Sequence, residues 1–245
     1  MIKLSAVIIT YNEQKNIARC IDSVLNVCDD VVVLDSFSTD NTAAICKSYN
    51  QVNFVQRQWQ GYSATKNFAH TLARHSFILS IDADECLSER LIDSIKQLNP
   101  NKGVAYDVNR LNNYCGTWVK HGGWYPDKKI RLFHRENAKW MGDFVHETLH
   151  LDDTIHVVHL KGDLLHYAFE NKQDHLQKIE RYAQLHAKQL KQNGKKFNLA
   201  RMLFAPIAKF IHNYIIQFGI LDGVAGFNIA RYSAYAVYKK YQLLK

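Results

Sequence analysis

Four short apolar runs alternate with stretches of helical periodicity in the first third of the chain, and this alternation restricts the fold more than any other feature of the sequence. The run Leu4-Ser5-Ala6-Val7-Ile8-Ile9-Thr10 ends at Tyr11-Asn12-Glu13, and Val31-Val32-Val33-Leu34 ends at Asp35. Val52-Asn53-Phe54-Val55 is a third run, and Phe77-Ile78-Leu79-Ser80-Ile81 delivers Asp82-Ala83-Asp84-Glu85. Runs of this length, rich in β-branched residues, are expected of strands covered on both faces. Between them Ile17, Ile21, Val24 and Leu25 recur at helical spacing, Ser38-Thr39-Asp40 offers caps for a helix through Tyr49, and residues 63–74 form another helical stretch. The alternation predicts an α/β domain with a Rossmann-like, mostly parallel sheet flanked by helices on both faces.

Open sheets of this kind bind ligands in the crevice beyond the carboxyl ends of their strands. Those ends carry Tyr11, Glu13, Asp35 and the Asp82/Asp84 pair, with Lys66 on a neighbouring helix. An aromatic face can stack a base, carboxylates accept hydrogen bonds from ribose and base N–H groups, and a lysine neutralises phosphate. Paired carboxylates are hard oxygen donors suited to Mg²⁺ or Mn²⁺ shared with substrate phosphates. Together they outline a nucleotide-sugar pocket. Each also has a plainer role: Tyr11 as a strand-end aromatic, Asp35 as the start of a turn, Lys66 as a solvated helix residue, the aspartates as a turn. Neither a Gly-x-Gly-x-x-Gly fingerprint after the first strand nor a Gly-Lys-Ser/Thr phosphate loop is present, which disfavours a dinucleotide oxidoreductase or a P-loop ATPase.

The ordered set Val7-Ile8-Ile9-Thr10-Tyr11-Asn12-Glu13, Val33-Leu34-Asp35-Ser36-Phe37-Ser38-Thr39-Asp40, Lys66-Asn67 and Leu79-Ser80-Ile81-Asp82-Ala83-Asp84-Glu85 resembles the motifs of family 2 glycosyltransferases with the GT-A fold. Gly122-Gly123-Trp124-Tyr125-Pro126-Asp127, Arg131-Leu132-Phe133, Val145-His146-Glu147 and Leu165-His166-Tyr167 extend the likeness to bacterial lipopolysaccharide core β-1,4-glucosyltransferases. The resemblance covers nearly the whole chain. It implies inverting transfer of a hexose from a nucleotide sugar, with UDP-glucose as donor, Mg²⁺ or Mn²⁺ as cofactor, and a heptose of a lipid-linked core oligosaccharide as acceptor. Tyr11, Glu13, Asp35, Lys66 and Asp82 would then contact the nucleotide, while Asp82, Asp84 and His166 would hold the metal. Glu147 would be the base that deprotonates the acceptor hydroxyl, with Asp127 second for that role. His146 could orient Glu147. Arg131 would either hold phosphate through bidentate contacts or brace the Asp127 loop.

The net charge of +8 is confined to the end of the chain: from Lys191 onward there are nine Lys/Arg against Asp222 alone, which leaves the first 190 residues neutral. Met202, Leu203, Phe204, Ile207, Phe210, Ile211, Tyr214, Ile215 and Phe218 give one apolar face at helical spacing, and Gly223 to Tyr241 a second amphipathic stretch. Basic amphipathic helices with aromatics fit an anionic bilayer surface, or pack as a helical pair on the catalytic domain. The expected organisation is a nucleotide-sugar-binding half, 1–105, an acceptor-binding half, 106–195, and a basic helical tail, 196–245. No apolar run reaches the roughly 18 residues of a spanning helix, and the N-terminus reads as a strand, so the expected location is cytoplasmic and peripheral at the inner membrane. Five scattered cysteines without a Cys-x-x-Cys pair read as reduced thiols. The alternative within the resembled family is transfer to a different lipid-linked glycan; outside it, a sugar-phosphate nucleotidyltransferase lacks its glycine-rich loop here, and an RNA-binding protein lacks an RRM- or KH-like motif, so nucleic acid is not expected as a partner.

Overall fold

The structure, a computed structural model, describes residues 3–142 and 147–245. His146 therefore lies outside the described residues. The chain opens with strand β1 (Leu4–Thr10), helix α1 (Ile17–Val24), β2 (Asp30–Asp35), α2 (Thr42–Lys47), β3 (Val52–Gln56), α3 (Tyr62–Thr71) and β4 (Phe77–Asp82), the alternation read from the sequence. β5 (Glu85–Leu87), α4 (Glu89–Lys96), β6 (Val104–Tyr114), β7 (Thr117–Val119), β8 (Asp127–His134), β9 (Ala138–Met141), β10 (Thr148–Leu151) and β11 (His156–Phe169) follow. Helices α5 (Lys172–Gln192), α6 (Leu199–Ile211) and α7 (Gly223–Gln242) close the chain, with a π turn at His212–Ile216 and a 3₁₀ turn at Gly219–Asp222 between the last two.

The large sheet runs β3-β2-β1-β4-β8-β6-β11-β5, with β7 paired to β6; β9 and β10 form a separate hairpin. β3, β2, β1 and β4 are parallel, so their carboxyl ends lie on one edge. In that register Thr10 lies beside Asp35, and Ile9 beside Asp82. β8 then pairs antiparallel with β4, and β5 with β11. β2 is buried along its whole length, as its unbroken β-branched run requires. α1 covers one face through Ile17, Cys20, Ile21 and Val24, which join Ile8, Val31, Val33 and Ile81 in the main core. Ala69, Ala73, Val7, Val32 and Phe133 form a second core.

Local chemistry sets the element ends. Ser88 caps α4 by accepting the Leu91 N–H, and Asn198 caps α6 by accepting the Arg201 N–H at 2.9 Å. Gly162 has φ +104, and a Cβ there would lie 2.4 Å from the Leu91 nitrogen, so only glycine lets β11 pass this close to α4. The chain divides into two compact units interleaved in sequence, where the sequence pattern suggests three consecutive segments. The first comprises residues 1–110 and 128–166, the second 111–127 and 167–245. The second has its own core, in which Tyr114, Val119, Ile179, Ala225, Ile229 and Tyr232 meet. His175 is buried there among Tyr114, Trp124, Phe169 and Tyr232, and burial with the nearby Lys178 charge lowers its pKa to about 4.

Candidate active site

The parallel strands of the first unit end in a set of interlocked turns. Asn12, in the left-handed region at φ 56, donates its N–H to Ser38 Oγ, and its side-chain oxygen accepts from the Thr39 N–H. Asp40 accepts from the Gln14 N–H and from both the N–H and the hydroxyl of Thr42. The segment Ser38-Thr39-Asp40 therefore ties the ends of β1 and β2 together as well as opening α2. Asp35 is fully buried: its carboxylate accepts from the Ser38 N–H at 3.0 Å, from the Ser38 hydroxyl, and from Gln56 Nε2 at 2.8 Å. These bonds are those of the turn reading of Asp35. Tyr11 stands beside it half-exposed, leaving an aromatic face open to solvent. Glu13 anchors the same loop, donating its N–H to Thr42 and accepting from Asn16 Nδ2 at 2.7 Å.

A charge network lies at the end of β4. Lys66, on α3, is buried, and its ammonium sits 2.9 Å from Asp82 Oδ1, 3.8 Å from Glu147 Oε1 and 4.3 Å from the centre of the Trp140 ring. Lys66 is thus not the solvated helix residue that its sequence alone allows. Arg131, on β8, donates from Nη2 to Asp82 Oδ2 at 2.9 Å and to Glu85 Oε1 at 2.6 Å. This differs from both expected roles of Arg131, because its guanidinium is 4% exposed and bonded to two carboxylates of its own chain. Glu85 is 0% exposed and also accepts the Asp82 N–H at 3.0 Å, with Arg110 Nη1 3.6 Å away. Burial alone would raise the Asp82 pKa; Lys66 and Arg131 override that and hold the carboxyl well below the usual range.

Asp84 has different surroundings. Its Oδ2 lies 3.2 Å from His166 Nε2, contributed by β11, and both side chains keep some exposure. Of the three side chains expected to hold a metal, the structure pairs Asp84 with His166, whereas both Asp82 oxygens are already engaged by cations. Among the described residues no group of three or more His, Cys, Asp or Glu side chains converges as a metal cluster. A carboxylate and an imidazole fit a hard divalent ion that takes its remaining ligands from water and a diphosphate, as Mg²⁺ and Mn²⁺ do.

Glu147 enters the site through its proximity to Lys66, with its side chain 24% exposed. The neighbouring hairpin is fixed to α3 by Asn67, which donates Nδ2 to the Trp140 carbonyl at 2.8 Å and accepts the Trp140 N–H at 3.0 Å. Asp127 opens β8 and is half-buried; it belongs to the second unit. Sequence reasoning missed Glu85 and Arg110 as partners of the network. A glutamate inside the otherwise apolar Cys86-Leu87 strand was the one available indication. Of the other histidines, His150 bonds Thr148 and His159 bonds Asp107.

The arrangement can bind an anionic, base-bearing ligand and set a carboxylate base near it. The family model for Glycosyl transferase family 2 matches residues 5–154. An uncharacterised glycosyltransferase of Rickettsia typhi is 32% identical over 239 residues, which cover 93% of this chain and 81% of that protein. The lipopolysaccharide core biosynthesis glycosyltransferase LpsC of Rhizobium meliloti is 27% identical over 254 residues, covering 98% of this chain and 93% of its own. Among solved structures, a mannosyltransferase of Pyrobaculum calidifontis in complex with GDP-mannose and Mn²⁺ shares the fold, with a TM-score of 0.51 at 16% identity over 96% of this chain and 73% of that one.

Proposed function

Because the chain belongs to glycosyl transferase family 2, we propose that it transfers a hexose, glucose from UDP-glucose, to a heptose of the lipopolysaccharide inner core with inversion at the anomeric carbon. The chain has the GT-A arrangement expected from its sequence, and the glycosyltransferase family removes the nucleotidyltransferase and RNA-binding alternatives. The likeness to LpsC supports the acceptor class. The observation that carries the reading is Lys66, whose ammonium lies within 4 Å of both Asp82 and Glu147 and so couples the nucleotide end of the site to the proposed base.

In this reading Tyr11 stacks on the uracil, with Glu13 and the turn held by Asp35 shaping the wall around it. Asp82, its carboxylate fixed by two cations, faces the ribose. Glu147 removes the proton from the acceptor hydroxyl as that oxygen forms its bond to the anomeric carbon; the bond from that carbon to the diphosphate breaks, and its electron pair leaves with UDP. Asp84 and His166 would hold Mg²⁺ or Mn²⁺, which when bound supplies positive charge to the leaving diphosphate. Lys66, 3.8 Å from Glu147 Oε1, ties the position of that carboxylate to the Asp82 end of the site. The enzyme works at the inner face of the inner membrane, where a lipid-linked acceptor is found; no helix among the described residues is long and apolar enough to cross a membrane.

A donor screen tests this directly. Released nucleotide is measured for UDP- and GDP-hexoses, with and without a heptose-containing acceptor. Acceptor-dependent release of UDP from UDP-glucose is expected, and release of GDP alone, or no dependence on heptose, would overturn the assignment.

A further inference from the structure

α6 is apolar on nearly every side. One face carries Phe210 and continues into Tyr214 of the π turn; both rings pack against Phe227 of α7, with centroids 5.8 Å apart in each case. Beside it the stripe Leu199, Leu203, Ile207, Ile211 and Ile215 repeats every fourth residue and is exposed, each side chain between 46% and 57%. Phe204, beside it, is 68% exposed. The connection to α7 prolongs the same surface through Ile216, Phe218, Ile220, Leu221 and Val224, all at least half exposed. Together these side chains display on the order of 1,000 Å² of apolar surface, against the few hundred usual for a soluble monomer. The turn is built to display them: a Cβ on Gly226 would lie 1.8 Å from the Gly219 carbonyl oxygen, so α7 meets the 3₁₀ turn backbone to backbone and leaves no room to fold the apolar side chains inward.

The ionisable residues around this surface identify what covers it. Lys195, Lys196 and Arg201 are exposed at the start of α6, and Lys209 lies on its last turn. Asp222, the single acid from Lys191 onward, is spent internally, accepting the N–H groups of Lys120 and His121. We propose that the exposed face of α6, the two turns and the start of α7 lies in the interface of an anionic bilayer, with the cations among its headgroups. At 13 residues α6 is too short to span a bilayer, so it lies in the surface plane. A second copy of the chain is a poorer occupant, because a two-fold contact would set these cations against themselves with no acid on the face to pair them. The far end of α7 has another role: Lys239 pairs with Glu180 of α5 at 3.3 Å, and Tyr235 donates to the same carboxylate, so that part of the tail packs inward. The inference deepens the proposed membrane-linked acceptor and rests on that reading for its purpose, though not for its physical basis.

The test is co-sedimentation of the full chain with phosphatidylcholine vesicles, with and without phosphatidylglycerol, in the absence of any donor or acceptor. The wild type should bind the anionic vesicles preferentially. Replacing Phe204, Ile207 and Phe218 together by Ser should weaken that binding by roughly 100-fold, as removal of three partly inserted apolar side chains predicts. The pair Arg201→Gln and Lys209→Gln should reduce it several-fold and flatten its salt dependence, while Lys239→Gln should leave it unchanged. Failure of the wild type to bind, or full binding by the triple-Ser variant, overturns the proposal. So does a wild-type dimer, seen by sedimentation velocity, that the triple substitution dissociates while vesicle binding persists. Vesicle binding needs no sugar donor, so its failure and the failure of the transferase reading are separately visible.

Discussion

Replacing Arg131 by Met separates the two carboxylates that share its guanidinium, and their unequal burial sets the cost. Glu85 is 0% exposed and accepts from Arg131 at 2.6 Å; once the guanidinium is gone it keeps, among the described residues, the Asp82 N–H at 3.0 Å and Arg110 at 3.6 Å. Removing one partner of a buried ion pair typically costs about 3–5 kcal/mol, because the remaining charge stays desolvated. Asp82 is 29% exposed on its side chain and keeps Lys66 at 2.9 Å, so its share resembles a surface pair and adds at most about 1 kcal/mol. The expected loss, about 3–5 kcal/mol, should move the urea midpoint down by roughly 1–2.5 M for a slope of roughly 2–3 kcal/mol/M. Adding Glu85→Gln removes the orphaned charge and should recover part of the loss; with the Glu85→Gln single variant measured as well, the difference between the double variant and the sum of the two singles is the coupling energy of the pair. A single-variant cost below about 1 kcal/mol, or a double variant at least as unstable as the sum of the singles, would refute the view that this arginine is chiefly the counter-charge of a buried glutamate.

Three further outcomes test the site. Asp84→Ala should abolish divalent-dependent transfer while leaving the unfolding transition nearly unchanged, since its carboxylate is partly exposed and its close described neighbour is His166; full activity in chelator would sink the metal role. Glu147→Gln should keep donor affinity and lower turnover by roughly 10²-fold or more, measured beside Asp127→Asn, and the reverse pattern would exchange the two roles. His70 is buried, and burial together with the Lys66 charge lowers its pKa to about 4. Its neutral ring therefore contributes fully above the unfolded value of 6.5, and that contribution is lost as pH falls from there through about 4. At pH 5 the loss is about 2 kcal/mol by linkage, so stability measured in urea at pH 7 and pH 5 should differ by about that much less in His70→Gln than in wild type.

The parallel half of the sheet was legible because strands covered on both faces leave an unbroken β-branched record, as Val31-Val32-Val33-Leu34 does. Asp82 and Asp84 were legible for a related reason: residues that follow a buried strand directly must emerge at its carboxyl end. The pairing of Asp84 with His166 was readable through family likeness alone, since 82 residues separate them in the chain. Glu85, Arg110 and Arg131 were harder still. They sit on β5, β6 and β8 and meet through sheet contacts that carry no sequence periodicity. The tail shows a different limit. Helical periodicity marked α6 as apolar but assigned Leu203, Phe210, Ile211 and Tyr214 to one face, whereas α7 covers Phe210 and Tyr214 and leaves Leu203 and Ile211 exposed. Hydrophobic spacing reports which positions are apolar; packing decides which of them are covered.

The charge network explains why two aspartates one residue apart take different parts. Asp82 continues β4, so its carboxylate falls between α3 and β8, and Lys66 and Arg131 each claim one of its oxygens. Asp84 follows the strand end and reaches β11 instead, where it finds an imidazole and keeps partial exposure. A cation entering beside Asp82 would have to compete with two resident positive charges within 3 Å; beside Asp84 it meets none among the described contacts. The divalent ion proposed for this site is therefore better matched to the second aspartate, while the first, kept ionised by its own cations, suits the role proposed for it as acceptor from neutral donors such as ribose hydroxyls. The buried Glu85 supports this division, because it offsets part of the Arg131 charge and pins the Asp82 backbone N–H, so that the acceptor's position is set by three elements of the sheet rather than by the mobility of a loop.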